Sequence, residues 1–498
     1  MMNNGYKKVL LVVAPMVGGG TTMYSKVQLP FVPVCGIGYL SEYLSYHGID
    51  NDVIDLGLNY KGDISAPVSL LRQRIEEVKP DLIGFQVMTY RRDITCKIID
   101  EIKSPDYDIV IGGVYVSTVR VQVMDEFQVD FAVKLEGELP LLELCQGKDL
   151  DQIDNLMFRD SDHVIENRDR PFSTDLDSFP FPKYTKFELD KYSLRVMPLI
   201  ASRGCPYGCI YCANPPTMGR RFRARSAENV IQELKYWYER GYREFDFNDD
   251  VFSLQKDRVY QICDLIEQYG LRHLTLQCTN GLRADLVDRA LLKRMKEVGF
   301  YMINIGVEVG NDRMLRVIKK GEIIEQIDEA VKIACELGYN VGICFTIGQP
   351  GETEADVRDS FNFALKHPVA WANFYNIVPY PRTELYDWIE KNKYFVGDIH
   401  ERLKYDGVFD QPFFVTPELP LEKRKELLED GAKVGNEVRK RAMLKTLRKS
   451  GPFGFLFAAI IYNERLHPFI VRLYHGNRTV NRLVNWLVER GIIKVRHL

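Results

Sequence analysis

Two long stretches of this chain alternate short apolar runs with amphipathic helical segments, and that alternation limits the possible folds more than any other feature. Residues 9–14 are apolar without interruption, the pattern of a strand covered on both faces in a parallel sheet. Further strand segments are predicted at 53–56, 82–87, 109–111 and 131–133, with helical spacing at 37–47, 68–78, 94–102 and 139–145. Gly48 is placed to stop the first of these helices. The alternation predicts a Rossmann-like, doubly wound parallel sheet over 1–160. Ligands of such sheets bind at the strands' C-terminal ends, which here are the loops 16–22, 88–91, 112–117 and 135–138. Pro171, Pro180 and Pro182, with Asp175 and Asp177 among them, mark a linker over 161–192.

A second series begins near Leu199, with strands at 245–247, 275–277, 302–307, 341–347 and 374–377. The helices are predicted at 227–240, 256–269, 287–298, 324–337 and 354–367. Repeated strand–helix units over 193–410 predict a partial or full (β/α) barrel, whose sites lie at the strand C-terminal ends. From 411 to 498 the pattern is helical. It is strongly charged over 421–447, apolar over 453–462, and then basic through Arg465, Arg472, Arg478, Arg482, Arg490, Lys494 and Arg496. This region fits either a packed cap with a solvated face or a surface for peripheral membrane contact or a lipid-like substrate.

Composition removes several function classes. A length of 498 residues suits roughly three domains. The net charge of −3 supplies no basic field for nucleic acid. The longest apolar run, 453–462, is about half of a membrane span. Ten cysteines without a secretory leader predict a cytoplasmic, reducing location, where clustered thiols serve metals or catalysis rather than disulfides.

Three of those cysteines are clustered. Cys205, Cys209 and Cys212 have C-x3-C-x2-C spacing in Arg203-Gly204-Cys205-Pro206-Tyr207-Gly208-Cys209-Ile210-Tyr211-Cys212, just after the first strand of the second series. Thiolate sulfur selects zinc, Cu(I) or iron–sulfur clusters. The next Cys is Cys263 and the next His is His273, so no fourth ligand lies nearby. A three-thiolate site leaves one metal position open, which is what a site that activates a ligand needs.

This string resembles the cysteine motif of the radical S-adenosylmethionine (SAM) superfamily, with Tyr211 as its aromatic residue. The resemblance implies a [4Fe-4S] cluster on Cys205, Cys209 and Cys212, its open iron chelating SAM. Four downstream segments match the same family in order. Phe247-Asn248-Asp249-Asp250-Val251-Phe252 implies polar groups, Asp249 and Asp250, near the SAM amino group. Gly306-Val307-Glu308-Val309-Gly310 implies a carboxylate, Glu308, on the ribose hydroxyls. Gly348-Gln349-Pro350-Gly351-Glu352-Thr353 implies a turn approaching the cofactor through Gly348, Pro350 and Gly351. Val378-Pro379-Tyr380-Pro381 implies Pro379 near adenine. Arg283 matches a recurrent arginine of the family and is assigned a carboxylate or substrate contact.

The N-terminal segments Pro33-Val34-Cys35-Gly36-Ile37-Gly38-Tyr39-Leu40, Ile111-Gly112-Gly113-Val114 and Glu136-Gly137-Glu138 resemble the cobalamin-binding domain fused to many radical SAM enzymes. The resemblance implies cobalamin at Thr89, Gly112, Gly113 and Glu136. The D-x-H-x-x-G motif that supplies a lower axial histidine is absent, because no Asp precedes His47-Gly48 at the required place. Binding then rests on backbone and loop contacts. The three extra N-terminal cysteines of the methylthiotransferases are absent. The run Gly18-Gly19-Gly20 opens neither a P-loop nor a G-x-G-x-x-G motif.

Together these resemblances imply a cobalamin-dependent radical SAM enzyme. It would cleave SAM reductively to a 5′-deoxyadenosyl radical and methylate an unactivated carbon of a small-molecule or lipid-like substrate. Electrons would come from an external donor such as flavodoxin or ferredoxin. The alternatives are a radical cyclase or rearrangement enzyme, with or without cobalamin, and a non-catalytic cluster- or cobalamin-binding regulator.

Overall fold

The computed structural model describes residues 4–16, 32–60, 62–397 and 412–448. The expected loop from 17 onward, with Gly18-Gly19-Gly20, and the apolar and basic tail from 453 lie outside the described residues.

The first sheet has seven strands: β1 (Lys8–Val13), β2 (Asp50–Asp55), β3 (Leu82–Gln86), β4 (Asp108–Gly112), β5 (Phe131–Val133), β6 (Leu156–Asp160) and β7 (His163–Glu166). Their order is β2-β1-β3-β4-β5-β6-β7. β1 to β5 are parallel. Successive side chains of β1 point to opposite faces. Leu10 and Val12 pack with Leu71, Ile98 and Ile99 on one side. Val9, Leu11 and Val13 pack with Ile37, Leu44 and Leu141 on the other. The uninterrupted apolar run is therefore the signature of a doubly wound sheet. Strand order reverses between β1 and β3, and this switch point opens a crevice at the C-terminal edge.

β6 and β7 are antiparallel additions that the apolar pattern did not announce. β7 is mostly exposed, so it has no buried face to read. The linker expected from 161 thus begins inside this ribbon.

The second sheet contains β8 (Val196–Leu199), β11 (Glu244–Phe247), β12 (Thr275–Leu282), β13 (Phe300–Glu308), β14 (Asn340–Ile347) and β15 (Trp371–Asn376). A two-stranded ribbon, β9 (Ser202–Arg203) and β10 (Arg223–Ala224), lies between β8 and β11 in the chain. The six strands are parallel and neighbours in chain order. They form a partial barrel whose edges are β8 and β15. Along β13, Ile303, Ile305 and Val307 are buried in the outer core, while Asn304, Gly306 and Glu308 alternate with them and stay part-exposed.

The helix Leu421–Arg448 runs beside the β15 edge. Gly431 approaches the Phe374 ring and Gly435 approaches the Ala372 carbonyl. A helix laid over an edge strand blocks further strand pairing there. Among the described residues no helix is long and apolar enough to cross a membrane.

Candidate active site

The cysteine loop hangs on a stem made by β9 and β10, which pair antiparallel as Arg203 opposite Arg223. Gly204 starts the loop with φ +82°, and any side chain there would strike the Arg221 carbonyl. Three donors on the stem are satisfied by carboxylates from the end of β11. The Ala201 N–H and the Ser202 hydroxyl donate to Asp249 at 2.7 and 2.5 Å, and the Gly204 N–H donates to Asp250 at 2.8 Å. Asp249 is fully buried. Its carboxylate faces the stem. The two acids brace the loop.

Burial pushes the Asp249 pKa up to about 6, against the attraction of Arg258 and its hydrogen bonds. A folded-state value above the ordinary 3.8 means that folding favours the protonated acid. The resulting stability is complete below the unfolded pKa and is lost as pH rises through the folded one. Apo-protein denaturation in urea should therefore lose about 2–3 kcal/mol between pH 4 and 6 through this group. The Asp249→Asn variant should lack that component of the slope, and an unchanged slope would contradict the assignment.

All three loop cysteines are free, part-exposed thiols. Burial raises each thiol, Cys212 to about 12, and Lys320 pulls against the rise at Cys209. A metal must therefore displace protons on binding. The Asn214 N–H already points at the Cys212 sulfur at 3.4 Å. Among the described residues no three His, Cys, Asp or Glu side chains converge to hold a single ion. A four-iron cluster takes a separate thiolate on each ligated iron. The donor set, three thiols and a supporting amide on a braced loop, fits the cluster. Ile210 ties the loop to the barrel, donating its N–H to the Ile318 carbonyl at 3.1 Å and accepting from the Leu385 N–H at 2.9 Å. Tyr211 packs against the barrel core.

The next strand ends supply a ring of charges. The Arg283 guanidinium stacks on the Tyr207 ring of the cysteine loop at 3.4 Å and binds Asp285 through two bonds of 3.0 and 3.1 Å. Of the carboxylate or substrate contact expected from sequence, the structure shows carboxylate contacts, to Asp285 and, at 3.7 Å, to Glu322. Glu308 ends β13 with φ +69°, a left-handed conformation that costs a residue with a side chain about 1–3 kcal/mol and collects at functional sites. Lys320 lies 3.6 Å from Glu308 and 3.3 Å from Glu322. Burial opposes its charge, but the two carboxylates prevail and raise its pKa. Sequence reading missed Lys320; the pair Lys319-Lys320 before Gly321-Glu322 carries no periodicity that separates an inward lysine from an outward one.

In the Gly348-Gln349-Pro350-Gly351 turn, the Gly348 and Gln349 N–H groups donate to Glu352 at 2.5 and 3.0 Å. Arg424 of the C-terminal helix lies beneath Gly348 and donates to the Ile347 carbonyl at 3.1 Å. After Pro379, the Tyr380 hydroxyl is pushed up to about 12 by burial, with Tyr90 and Cys212 adding to the rise. The helix Val114–Val119 after β4 packs against the helix Asn214–Met218 after the cysteine loop, and the C-terminal edges of the two sheets face each other.

On the first sheet's edge, Thr89 carries a buried hydroxyl without a hydrogen-bond partner among the described residues. Gly113 has φ +112°, and a Cβ there would come within 2.8 Å of the Val87 carbonyl. An orphaned hydroxyl and bare backbone at the switch-point edge fit a large flat ligand held through loops. Glu136 is not free for that role: it accepts from Arg203 at 3.0 Å and Arg223 at 2.6 Å, while Glu138 accepts from Arg203 at 2.7 Å. His47 is exposed and follows the helix Cys35–Tyr46, beside the start of β2 and away from the C-terminal edge.

Comparison with known proteins agrees with this layout. Residues 199–364 match the radical SAM superfamily and residues 27–145 match the B12 binding domain. An uncharacterized methyltransferase of Pyrococcus horikoshii is 32% identical over 77% of this chain and 83% of its own length. The chain belongs to the radical SAM superfamily, in the branch with a B12-binding domain. Another relative, an anaerobic magnesium-protoporphyrin IX monomethyl ester cyclase of Cereibacter sphaeroides, is 25% identical over 83% of this chain and 66% of its own length. Among solved structures, the cobalamin-dependent S-adenosylmethionine radical enzyme OxsB shares the fold with TM-score 0.71. It is 16% identical and is matched over 97% of this chain and 75% of its own.

Proposed function

We propose that this chain is a cobalamin-dependent radical SAM methyltransferase that places a methyl group on an unactivated carbon of a small molecule. The observation that carries the reading is the meeting of the two C-terminal edges. Thr89, Tyr90 and the Gly112-Gly113 backbone lie on one side, and Cys205, Cys209 and Cys212 on the other. Bound there, a [4Fe-4S] cluster with SAM supplies a 5′-deoxyadenosyl radical, and cobalamin supplies a methyl carrier.

The chain's own residues do the rest. The three cysteines would hold the iron of the cluster. Asp249 and Asp250 fix the stem. Glu308 accepts from the ribose hydroxyls. Gly348, Pro350, Gly351 and Pro379 form the turns that approach SAM. Electrons arrive from a flavodoxin- or ferredoxin-like donor in the cytoplasm.

Methyl transfer is favoured by the relative named a methyltransferase. A cyclase reading has support from the relative named a cyclase. A regulator would have no use for Glu308 held in a left-handed conformation beside the thiols.

Anaerobic reconstitution with iron, sulfide and hydroxocobalamin is expected to load about four irons per chain and a stoichiometric cobalamin. With SAM and reductant the protein should then form 5′-deoxyadenosine. Iron without cobalamin would move the reaction from methyl transfer to cyclisation or rearrangement. No iron would overturn the reading.

A further inference from the structure

Lys320 is only 6% exposed. A lysine in such a place must be paired, because an unpaired buried charge is too costly to persist. Its partners have different surroundings. Glu322 is spoken for by the backbone, accepting from the Ala284 and Asp285 N–H groups at 2.8 and 3.2 Å. Arg283 also lies 3.7 Å from Glu322. Glu308 sits at the strained end of β13 with its side chain partly open to the concave face. Lys320 is therefore anchored on one side and faces a reactive-site carboxylate on the other.

Its own segment is fixed to the cysteine loop as well. Ile318, two residues earlier, accepts the Ile210 N–H at 3.1 Å. Arg283, which shares Glu322 with Lys320, stacks on Tyr207 of that loop. Any shift of Lys320 relative to the loop would have to break the backbone bond, the Glu322 contacts or the stack.

We propose that Lys320 is a positioning residue for SAM: its ammonium, anchored on Glu322, fixes the Glu308 carboxylate in the orientation that receives the ribose hydroxyls. The assignment rests on the reading of Glu308 as the ribose acceptor. Without the cation, Glu308 loses the ammonium that lies 3.6 Å from it. Its side chain is then free to turn away from the ribose, and it accepts less well.

The test is SAM binding to the reconstituted protein, measured calorimetrically without reductant so that no turnover occurs. SAM and its 2′-deoxy analogue are compared on wild type, Lys320→Met, Lys320→Arg and Glu308→Gln. Wild type should prefer SAM to the 2′-deoxy analogue. Lys320→Met should weaken SAM binding about tenfold or more, the usual loss when a charge-assisted contact is disabled, and should bind the two ligands alike. Lys320→Arg should recover most of the preference. Adding Lys320→Met to Glu308→Gln should cost little more, since both changes remove the same contact.

Loss of affinity with the SAM preference intact in Lys320→Met would make the lysine merely structural and overturn the proposal. Unchanged affinity would do the same. Should Lys320→Met fail to load iron, Lys320→Arg and Glu308→Gln decide: equal preference for SAM in Glu308→Gln and wild type overturns the proposal. A wild type that loads iron but binds no SAM would instead overturn the function reading on which this rests.

Discussion

Reconstituted Cys209→Ala protein is expected to form no 5′-deoxyadenosine above the reagent background. The argument is one of ligand count. Three thiolates are the whole cysteine set of the loop, the next Cys and His in sequence are Cys263 and His273, and no other His, Cys, Asp or Glu cluster able to hold a metal is found among the described residues. Removing even a supporting partner around a metal site costs about 10–100-fold in affinity or activity, so removing a ligand should exceed that. The loop itself should survive. Its backbone is held through Ile210, and its stem through Asp249 and Asp250. None of these bonds uses the Cys209 sulfur, and the residue is only part-buried. Iron content should therefore fall while the apo-protein's melting curve stays near wild type. Cys263→Ala is the control: that thiol is buried in the barrel core, so its loss should cost stability and leave the cluster in place. Full SAM cleavage by Cys209→Ala would sink the cluster assignment.

The readable part of this chain is the part whose pattern is set by burial. The 9–14 run declared a strand covered on both sides, and the alternation of β13 declared a sheet with one outer face. The cysteine loop was readable because its function needs particular atoms at short sequence range. Long-range pairings were not. β7 is too exposed to leave an apolar period, and Arg424 lies in a charged stretch that reads as solvated although it is buried under Gly348. Asp249 and Glu136 were recognised as residues that matter, yet the direction of each side chain follows from elements far away in the chain. A motif fixes which residue stands at a strand end; what it touches there depends on the neighbour that packing delivers. In both cases the delivered neighbour was the stem of the cysteine loop.

That stem supports the second large effect. Arg203→Met is expected to destabilise the contact between the two sheets by about 3–5 kcal/mol, the usual cost of removing one partner of a buried ion pair. Arg203 is 8% exposed and reaches across from β9 to Glu136 at 3.0 Å and Glu138 at 2.7 Å. Its guanidinium also lies over the rings of Tyr39 and Phe179 at 5.0 and 5.5 Å. Methionine can replace much of the ring contact, so the loss should come chiefly from the stranded carboxylates. Glu136 keeps Arg223 at 2.6 Å, which leaves Glu138 as the group that suffers. Adding Glu138→Gln to Arg203→Met should then recover part of the lost stability, because a neutral amide is cheaper to bury than an unpaired carboxylate. Urea denaturation gives the energies, and limited proteolysis within residues 161–192 reports whether the contact opens. Because Arg203 directly precedes Gly204 and Cys205, the single variant should also load iron poorly, and the double variant should regain both properties together. Recovery of stability without recovery of iron loading would separate the two roles and show that the guanidinium itself, rather than the domain contact it makes, holds the cysteine loop in shape.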